Sequence, residues 1–267
     1  MLLNFMLQSL RNTDVIRYIM PLREGGSLPA LIEADDGFLY VLKFRGAGQG
    51  IKVLIAELVV GELARLLLLR VPELVFCTLD AAFGRSEPDE EIQDLLRAST
   101  GLNLGLHFLA GASTFDPLVT LVTAEVASLV VWLDCFTLNV DRTARNTNLL
   151  VWHQELWLID HGAALYIHHT GPTWASTSTR AFPQIRDHVL LPWATTLTEA
   201  NARAHQLLKP PQLQQLVNLI PTEWLLAADP SLDPTEHRQQ YYHFLATRLA
   251  NSATFVAEAD HARRTLI

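Results

Sequence analysis

Cations are scarce in this 267-residue chain, and those present are unevenly chosen. Lysine occurs only at Lys43, Lys52 and Lys209, and arginine supplies the rest of the 20 positive charges. Against 28 acidic residues this gives a formal net charge of −8 with no basic run. Broad binding to nucleic acid or to an anionic membrane needs clustered cations and is not expected. Cysteine is nearly absent. Cys77 and Cys135 lie far apart and match no metal or disulfide framework, the usage expected of a reduced, cytoplasmic protein. The start, Met1-Leu2-Leu3-Asn4-Phe5, lacks the basic region and cleavage site of a secretory signal. The most apolar helix candidate, residues 54–69, contains Glu57, Glu62 and Arg65, so it reads as a buried helix and not a membrane span. Internal repeats and low-complexity tracts are also missing.

What is present is ample apolar residue. Hydrophobic types make up 49% of the chain and charged types 18%, enough to bury a substantial core. Residues 14–44 read as three strands. Val15 to Pro21 and Leu28 to Glu33 flank the loop Arg23-Glu24-Gly25-Gly26-Ser27, and Asp35-Asp36-Gly37 is a hairpin turn leading to Phe38 to Phe44. Alternation in the last run places Leu39, Val41 and Lys43 on one face and Phe38, Tyr40, Leu42 and Phe44 on the other. A glycine-rich connector, Gly46 to Gly50, precedes a long helix over about 51–70 that ends near Val71-Pro72. Weaker strands are expected at 74–82 and 103–110, with an acidic surface segment from Ser86 to Ile92 between them. From Leu118 to Leu138 the periodicity is helical. Leu149 to Trp152 and Leu156 to Ile159 then form a hairpin turning at His153-Gln154. Beyond Phe182, helical patterns are cut into short pieces by Pro192, Pro210-Pro211, Pro221 and Pro230.

Three features carry chemistry. In Asn139-Val140-Asp141-Arg142-Thr143-Ala144-Arg145-Asn146-Thr147-Asn148, wedged between apolar runs, Asp141 could orient a hydroxyl while the Asn146 side-chain oxygen ligates a metal. Polar turns also use Asp and Asn simply to cap backbone groups, and Asn139 and Asn148 are competing amides. Asp160 ends an apolar strand in Leu156-Trp157-Leu158-Ile159-Asp160-His161-Gly162. An unpaired carboxylate there would cost several kcal/mol, which a nearby cation would remove, or the side chain caps the following turn. His161-Gly162 provides a sharp turn, and His161 itself is assigned a structural role. Lys43 shares a face with Leu39 and Val41, and needs an anion or a route to water. A bound phosphate would serve, aided by Glu57 or, second, Glu62; these are five residues apart and point to different faces. Gly25, Gly26 and Ser27 could cover phosphates with backbone N–H groups, although Gly-Gly is also ordinary hairpin chemistry. Gly46 to Gly50 lacks the Lys-Ser/Thr pair of a Walker A loop. His168-His169 has no partner ligands and reads as a surface pair.

The order glycine loop, strand lysine, helix glutamate, Asp-x4-Asn and strand-Asp-x-Gly resembles the protein-kinase-like superfamily. Within it the chain is similar to the HipA-like kinases, specifically the compact standalone members. Asn139 to Leu150 and Leu156 to Leu165 carry the likeness, supported by Tyr40 to Phe44, Leu69-Arg70-Val71-Pro72-Glu73 and Pro221-Thr222-Glu223-Trp224-Leu225. The resemblance implies an α+β, two-lobed kinase fold. Residues 1–112 would form a small β-rich N-lobe, an antiparallel sheet plus one long helix, and residues 113–267 a larger, mainly helical C-lobe. It implies ATP and Mg²⁺, with Asp141 catalytic, Asn146 and Asp160 binding metal, and Lys43 on the ATP phosphates, held by Glu57. Gly25, Gly26 and Ser27 would cover the phosphates. The partners implied are ATP and a hydroxyl acceptor, a protein serine or threonine ahead of a small molecule. No nucleic acid or membrane is expected, and the likeness supplies no antitoxin partner. Three positions depart from the pattern: Leu138-Asn139-Val140 replaces the His-Arg before the catalytic aspartate, Thr143 a common histidine, and His161 the usual phenylalanine. The first two leave open a small-molecule kinase, and a nucleotide-binding pseudokinase is the alternative from another class.

Overall fold

Alternating apolar residues dominate the chain up to His107 and helical periodicity dominates the rest, and the observed elements follow that division. The computed structural model describes residues 9–22, 28–48, 50–169 and 174–266. The expected glycine loop, Gly25 to Ser27, lies outside the described residues. The elements are β1 (Arg11–Pro21), β2 (Ala30–Ala34), β3 (Leu39–Lys43), α1 (Ile51–Leu66), β4 (Leu74–Leu79), α2 (Phe83–Ser86), α3 (Glu90–Ala98), β5 (Gly101–His107) and β6 (Ser113–Thr114). They continue with α4 (Ala124–Thr137), β7 (Leu149–Trp152), β8 (Glu155–Leu158), α5 (Trp174–Thr177), α6 (Leu197–Leu207), α7 (Pro210–Asn218), α8 (Thr222–Ala228), α9 (Pro234–Ala250) and α10 (Ser252–Thr265). The chain is a mixed α/β protein. Among the described residues no helix is long and apolar enough to cross a membrane.

Five strands close into a barrel in the order β1-β2-β3-β5-β4, with β1 and β4 pairing in parallel to complete it. Tyr40, Leu42 and Phe44 of the β3 segment join Val15, Ile32, Val75 and Cys77 in one core. Lys43 belongs to the opposite face, whose Val41 packs on a second, larger core. That second core is centred on α1, where 14 of the 16 residues are buried, and α1 touches β5, α4, α7 and α8. A helix so enclosed can carry a carboxylate such as Glu57 only if something inside answers it.

Helix α4 is the other internal element. Thr123 caps its first turn, accepting from the Val126 N–H at 3.3 Å, and Leu138 ends it in the left-handed region at φ 58°. Arg248 of α9 reaches the end of the same helix. Its buried guanidinium donates to the carbonyls of Cys135 (2.5 Å), Phe136 (2.9 Å) and Arg180 (2.8 Å) and lies 4.8 Å from the Phe255 ring centroid. A cation suits the negative end of a helix dipole and answers carbonyls the helix cannot satisfy itself. Burial pulls its guanidinium down to about 10.

Four sequence expectations are corrected. The acidic segment at Ser86 to Ile92 runs into a helix, α3, because Asp89 caps it by accepting from the Glu91 and Ile92 N–H groups. The half of the chain before residue 112 therefore holds more than one helix. Helix α4 starts at Ala124 and not at Leu118, since Asp116 holds a turn by accepting from the Leu118 N–H at 2.8 Å. Leu118 and Leu121 are left 91% and 99% exposed. His168 is buried and bonded to the Tyr241 hydroxyl at 3.1 Å, so it is no surface residue. The hairpin at His153-Gln154 forms as expected, both residues having positive φ (50° and 64°), and β6 adds a third strand to it.

The barrel core tests simply. A Cβ on Gly105 would meet Cys77 Sγ at 2.5 Å and Val75 Cγ2 at 3.0 Å, whereas one on Gly48 meets nothing within 4 Å. Gly105→Val should lower stability by about 1–3 kcal/mol through overpacking. Gly48→Ala should change it by less than about 0.5 kcal/mol. Chemical denaturation of the two variants checks the contrast.

Candidate active site

The polar stretch after α4 is organised from a residue inside the helix. Asp134 is fully buried, and its Oδ1 accepts from the Asn139 side-chain amide at 3.0 Å. The Asn139 side-chain oxygen in turn accepts from the Asp141 N–H at 3.1 Å. Asn139 is thereby committed to shaping the loop. The Asp141 carboxylate emerges half-buried and accepts from two amides through one oxygen, from Asn146 at 2.8 Å and Asn148 at 3.2 Å. Asn148 is buried and left-handed (φ 48°), while Asn146 is exposed. Amide donation to Asp141 leaves the Asn146 side-chain oxygen unpaired among the described residues, so it is the amide better placed to present oxygen to a cation. Spacing from Asp141 favours Asn146 over Asn139 and Asn148, and the three differ in burial: Asn146 is exposed, Asn139 and Asn148 are buried.

Asp160 reaches the same place from β8. The Ile159 N–H donates to the Asn148 carbonyl at 3.1 Å, tying the two polar turns together. Asp160 itself is left-handed at φ 54°, a conformation that costs a non-glycine residue about 1 kcal/mol or more. Lys43 Nζ donates to Asp160 Oδ1 at 2.8 Å and lies 3.7 Å from Glu57 Oε2. Burial alone would lower the Lys43 ammonium, but Glu57 and Asp160 together raise it, so it is held charged. Burial would raise the Asp160 carboxyl, and Lys43 outweighs this and brings it below the usual range. Glu57 goes the other way: its full burial pushes the carboxyl up more than Lys43 brings it down. Its Oε1 has no partner among the described residues, and its Oε2 accepts from the His161 N–H at 3.0 Å. Glu62 turns away to Arg65 at 3.2 Å, so Glu57 is the glutamate beside Lys43.

Gly162 sits in the expected turn, closed by the Ala164 N–H donating to the His161 carbonyl at 3.0 Å, and serves a second purpose. Its φ is not in the left-handed region, but a Cβ there would meet Val53 Cγ1 at 2.6 Å, so glycine lets this segment lie against α1.

One residue joining these parts escaped the sequence reading. Arg142 follows Asp141 directly, and its side chain is wholly buried. Its Nε donates to Asp134 Oδ2 at 2.7 Å, Nη1 to the carbonyls of Asn148 and Ile159, and Nη2 to His161 Nδ1 at 3.2 Å. His188 completes the cluster. Its Nδ1 accepts from the Leu190 N–H, which leaves Nε2 to carry the proton and donate to Asp134 Oδ2 at 2.8 Å. Burial would raise the Asp134 carboxyl, and Arg142 and His188 drive it far below the ordinary range. Burial, with Arg142 adding to it, lowers the His161 imidazole to about 3, so it stays neutral and able to accept. Asp134 in an otherwise apolar helix was a signal for Arg142, since a buried acid requires a cation. Nothing local in the sequence marked His188.

A cavity of about 810 Å³ opens elsewhere, lined by Lys52, His168, Trp174, Asp229, His237 and Phe244 among others, and none of the residues above lines it. Among the described residues no group of three or more His, Cys, Asp or Glu could hold a metal. An all-protein metal cage is therefore absent there. What the site offers is one amide oxygen and one carboxylate, hard oxygen donors of the kind that share Mg²⁺ with phosphates and water.

Comparison with known proteins identifies the family and the fold. Residues 15–256 match the family model described as HipA-like kinase. The fold is shared with a Helicobacter pylori proinflammatory kinase, CtkA, at a TM-score of 0.55 and 13% identity over 95% of this chain and 99% of that one. A Golgi casein kinase with Mn and ADP bound is a more distant likeness, at a TM-score of 0.45 and 12% identity over 93% of this chain and 73% of the other. No curated protein matches the sequence. With nine-tenths of its length matched by the family model, the chain belongs to the HipA-like kinase family.

Proposed function

We propose that the chain is an ATP-dependent phosphotransferase acting on a protein serine or threonine hydroxyl, built as two lobes that divide near residue 112. One observation carries this reading. A buried lysine on β3 sits 2.8 Å from Asp160, and the turn holding Asp160 is hydrogen-bonded to the loop that presents Asp141. A buried ammonium facing two carboxylates is poised to exchange one of them for the phosphates of a nucleotide.

In this reading Asp141 orients the acceptor hydroxyl and takes its proton as the oxygen attacks the γ-phosphorus. The bond from that phosphorus to the ADP oxygen breaks in the same displacement. Lys43 holds ATP phosphates and Glu57 holds Lys43, the only strand lysine and the helix glutamate nearest to it. Gly25, Gly26 and Ser27 would lie over the phosphates as a loop between strands. Asn146 and Asp160 are the residues that would hold Mg²⁺, and their oxygens suit it; when bound, the ion would offset charge on the transferring group. The acidic surface implies an acceptor without dense negative charge. The site would operate in the cytoplasm.

Transfer from labelled ATP to a mixed protein acceptor, or autophosphorylation, should fall at least about 100-fold for Asp141→Ala. A folded Asp141→Ala variant with unchanged turnover would overturn the mechanism. Lys43→Met should instead act chiefly through ATP, raising its KM or Kd about tenfold, the loss of about 1.4 kcal/mol of interaction. A titration of the variant by fluorescent nucleotide reads this directly. Nucleotide binding without any transfer by the wild-type chain would favour a pseudokinase.

A further inference from the structure

The guanidinium of Arg142 touches neither of the groups proposed to react, yet it contacts the residues on both sides of Asp160. It donates to the carbonyl of Ile159, one residue before, at 3.4 Å, and to the ring nitrogen of His161, one residue after, at 3.2 Å. It also donates to the carbonyl of Asn148, whose own amide holds Asp141. Asn148 and Asp160 are both non-glycine residues in the left-handed region, so each needs surrounding contacts to keep its conformation. His161 extends the chain of contacts. Its N–H donates to Glu57 on α1, and its ring lies beside α1, with Cδ2 3.9 Å from where a Cβ on Gly61 would sit.

We propose that the hydrogen bond from Arg142 to His161 positions Asp160, fixing it in register with Asp141 on one side and with Glu57 on the other. The inference rests on the kinase reading. Its physical basis is that a guanidinium is planar and presents donors in fixed directions, so it sets the relative placement of three acceptors at once. The imidazole is the only side-chain acceptor among the three, and so the one a substitution can remove. Arg142 and His161 are positioning residues here and not catalytic ones. A cluster serving stability alone would hold the chain together without affecting how well Asp160 meets a cation.

Two substitutions separate these roles. His161→Phe keeps ring bulk and removes the acceptor; His161→Asn loses bulk but restores an oxygen close to where Nδ1 stood. The measurement is affinity for a non-hydrolysable ATP analogue with Mg²⁺ and with EDTA, together with kcat per folded molecule. For His161→Phe, affinity in EDTA should stay within twofold of wild type, while the gain on adding Mg²⁺ and kcat each fall tenfold or more. His161→Asn should recover a measurable part of both. The proposal is overturned if His161→Phe retains the Mg²⁺-linked gain and kcat within twofold. It is equally overturned if His161→Asn, folded, does no better than His161→Phe. Should His161→Phe not fold, His161→Asn decides alone: a Mg²⁺-linked gain nearer to wild type than to none supports the proposal, and none overturns it. Absence of nucleotide binding by the wild-type chain would instead remove the kinase reading itself.

Discussion

The pairing of Asp134 with Arg142 is the constraint on which the site depends. Neither side chain has contact with water, and removing ions of this kind from water is repaid only when every remaining lone pair and proton finds a partner. Here the demand is met by Asn139, His188 and the carbonyls and imidazole around the guanidinium. Those partners lie in three different segments. Satisfying the pair therefore draws together α4, the loop after it, the turn after β8 and the segment before α6. The polar groups that face solvent, Asp141 and Asn146, inherit their placement from that buried arrangement.

The two faces of the β3 segment divide the labour of the molecule. Tyr40, Leu42 and Phe44 fill the barrel, while Val41 and Lys43 look outward toward α1. A one-residue slip in β3 would exchange the faces and place the ammonium among the apolar side chains of the barrel core. The register Tyr40 to His107 through Lys43 to Leu104 thus also sets Lys43 beside Glu57 and Asp160. The scarcity of lysine fits the same picture, since a compact ammonium on a flexible stem suits a partner that changes, whereas an arginine fork commits to fixed acceptors.

How much of this the sequence disclosed depended on the range of each interaction. Alternation marked β3 and placed Lys43 on its outward face; the His153-Gln154 turn marked the hairpin; the five-residue separation of Glu57 and Glu62 rightly implied that only one could face Lys43. These are local regularities. The start of α4 was misjudged because apolar Leu118 and Leu121 fit a helical period although Asp116 holds a turn there. Helix α3 is hidden by its acidity, although Asp89 caps it. Of the hub, Asp134 within its helix signals a cation such as Arg142, whereas His161 and His188 join it only through the tertiary fold. Gly162 lies in the turn its sequence marks, but the room its missing side chain leaves for Val53, a neighbour more than a hundred residues earlier, has no local signal.

The guanidinium of Arg248 at the end of α4 has a temporal consequence. It makes no ion pair among the described residues and is answered by carbonyls, including those of Cys135 and Phe136 immediately before the loop that carries Asp141. During synthesis that loop emerges first, and the side chain that secures the end of its helix follows 107 positions later. Domains assemble largely as units, and an N-terminal portion can settle before the rest is made. Here the barrel could close early, but the loop beside it would wait for α9. A ribosome-bound chain would therefore pass through a stage with the lysine strand formed and its opposite wall unset.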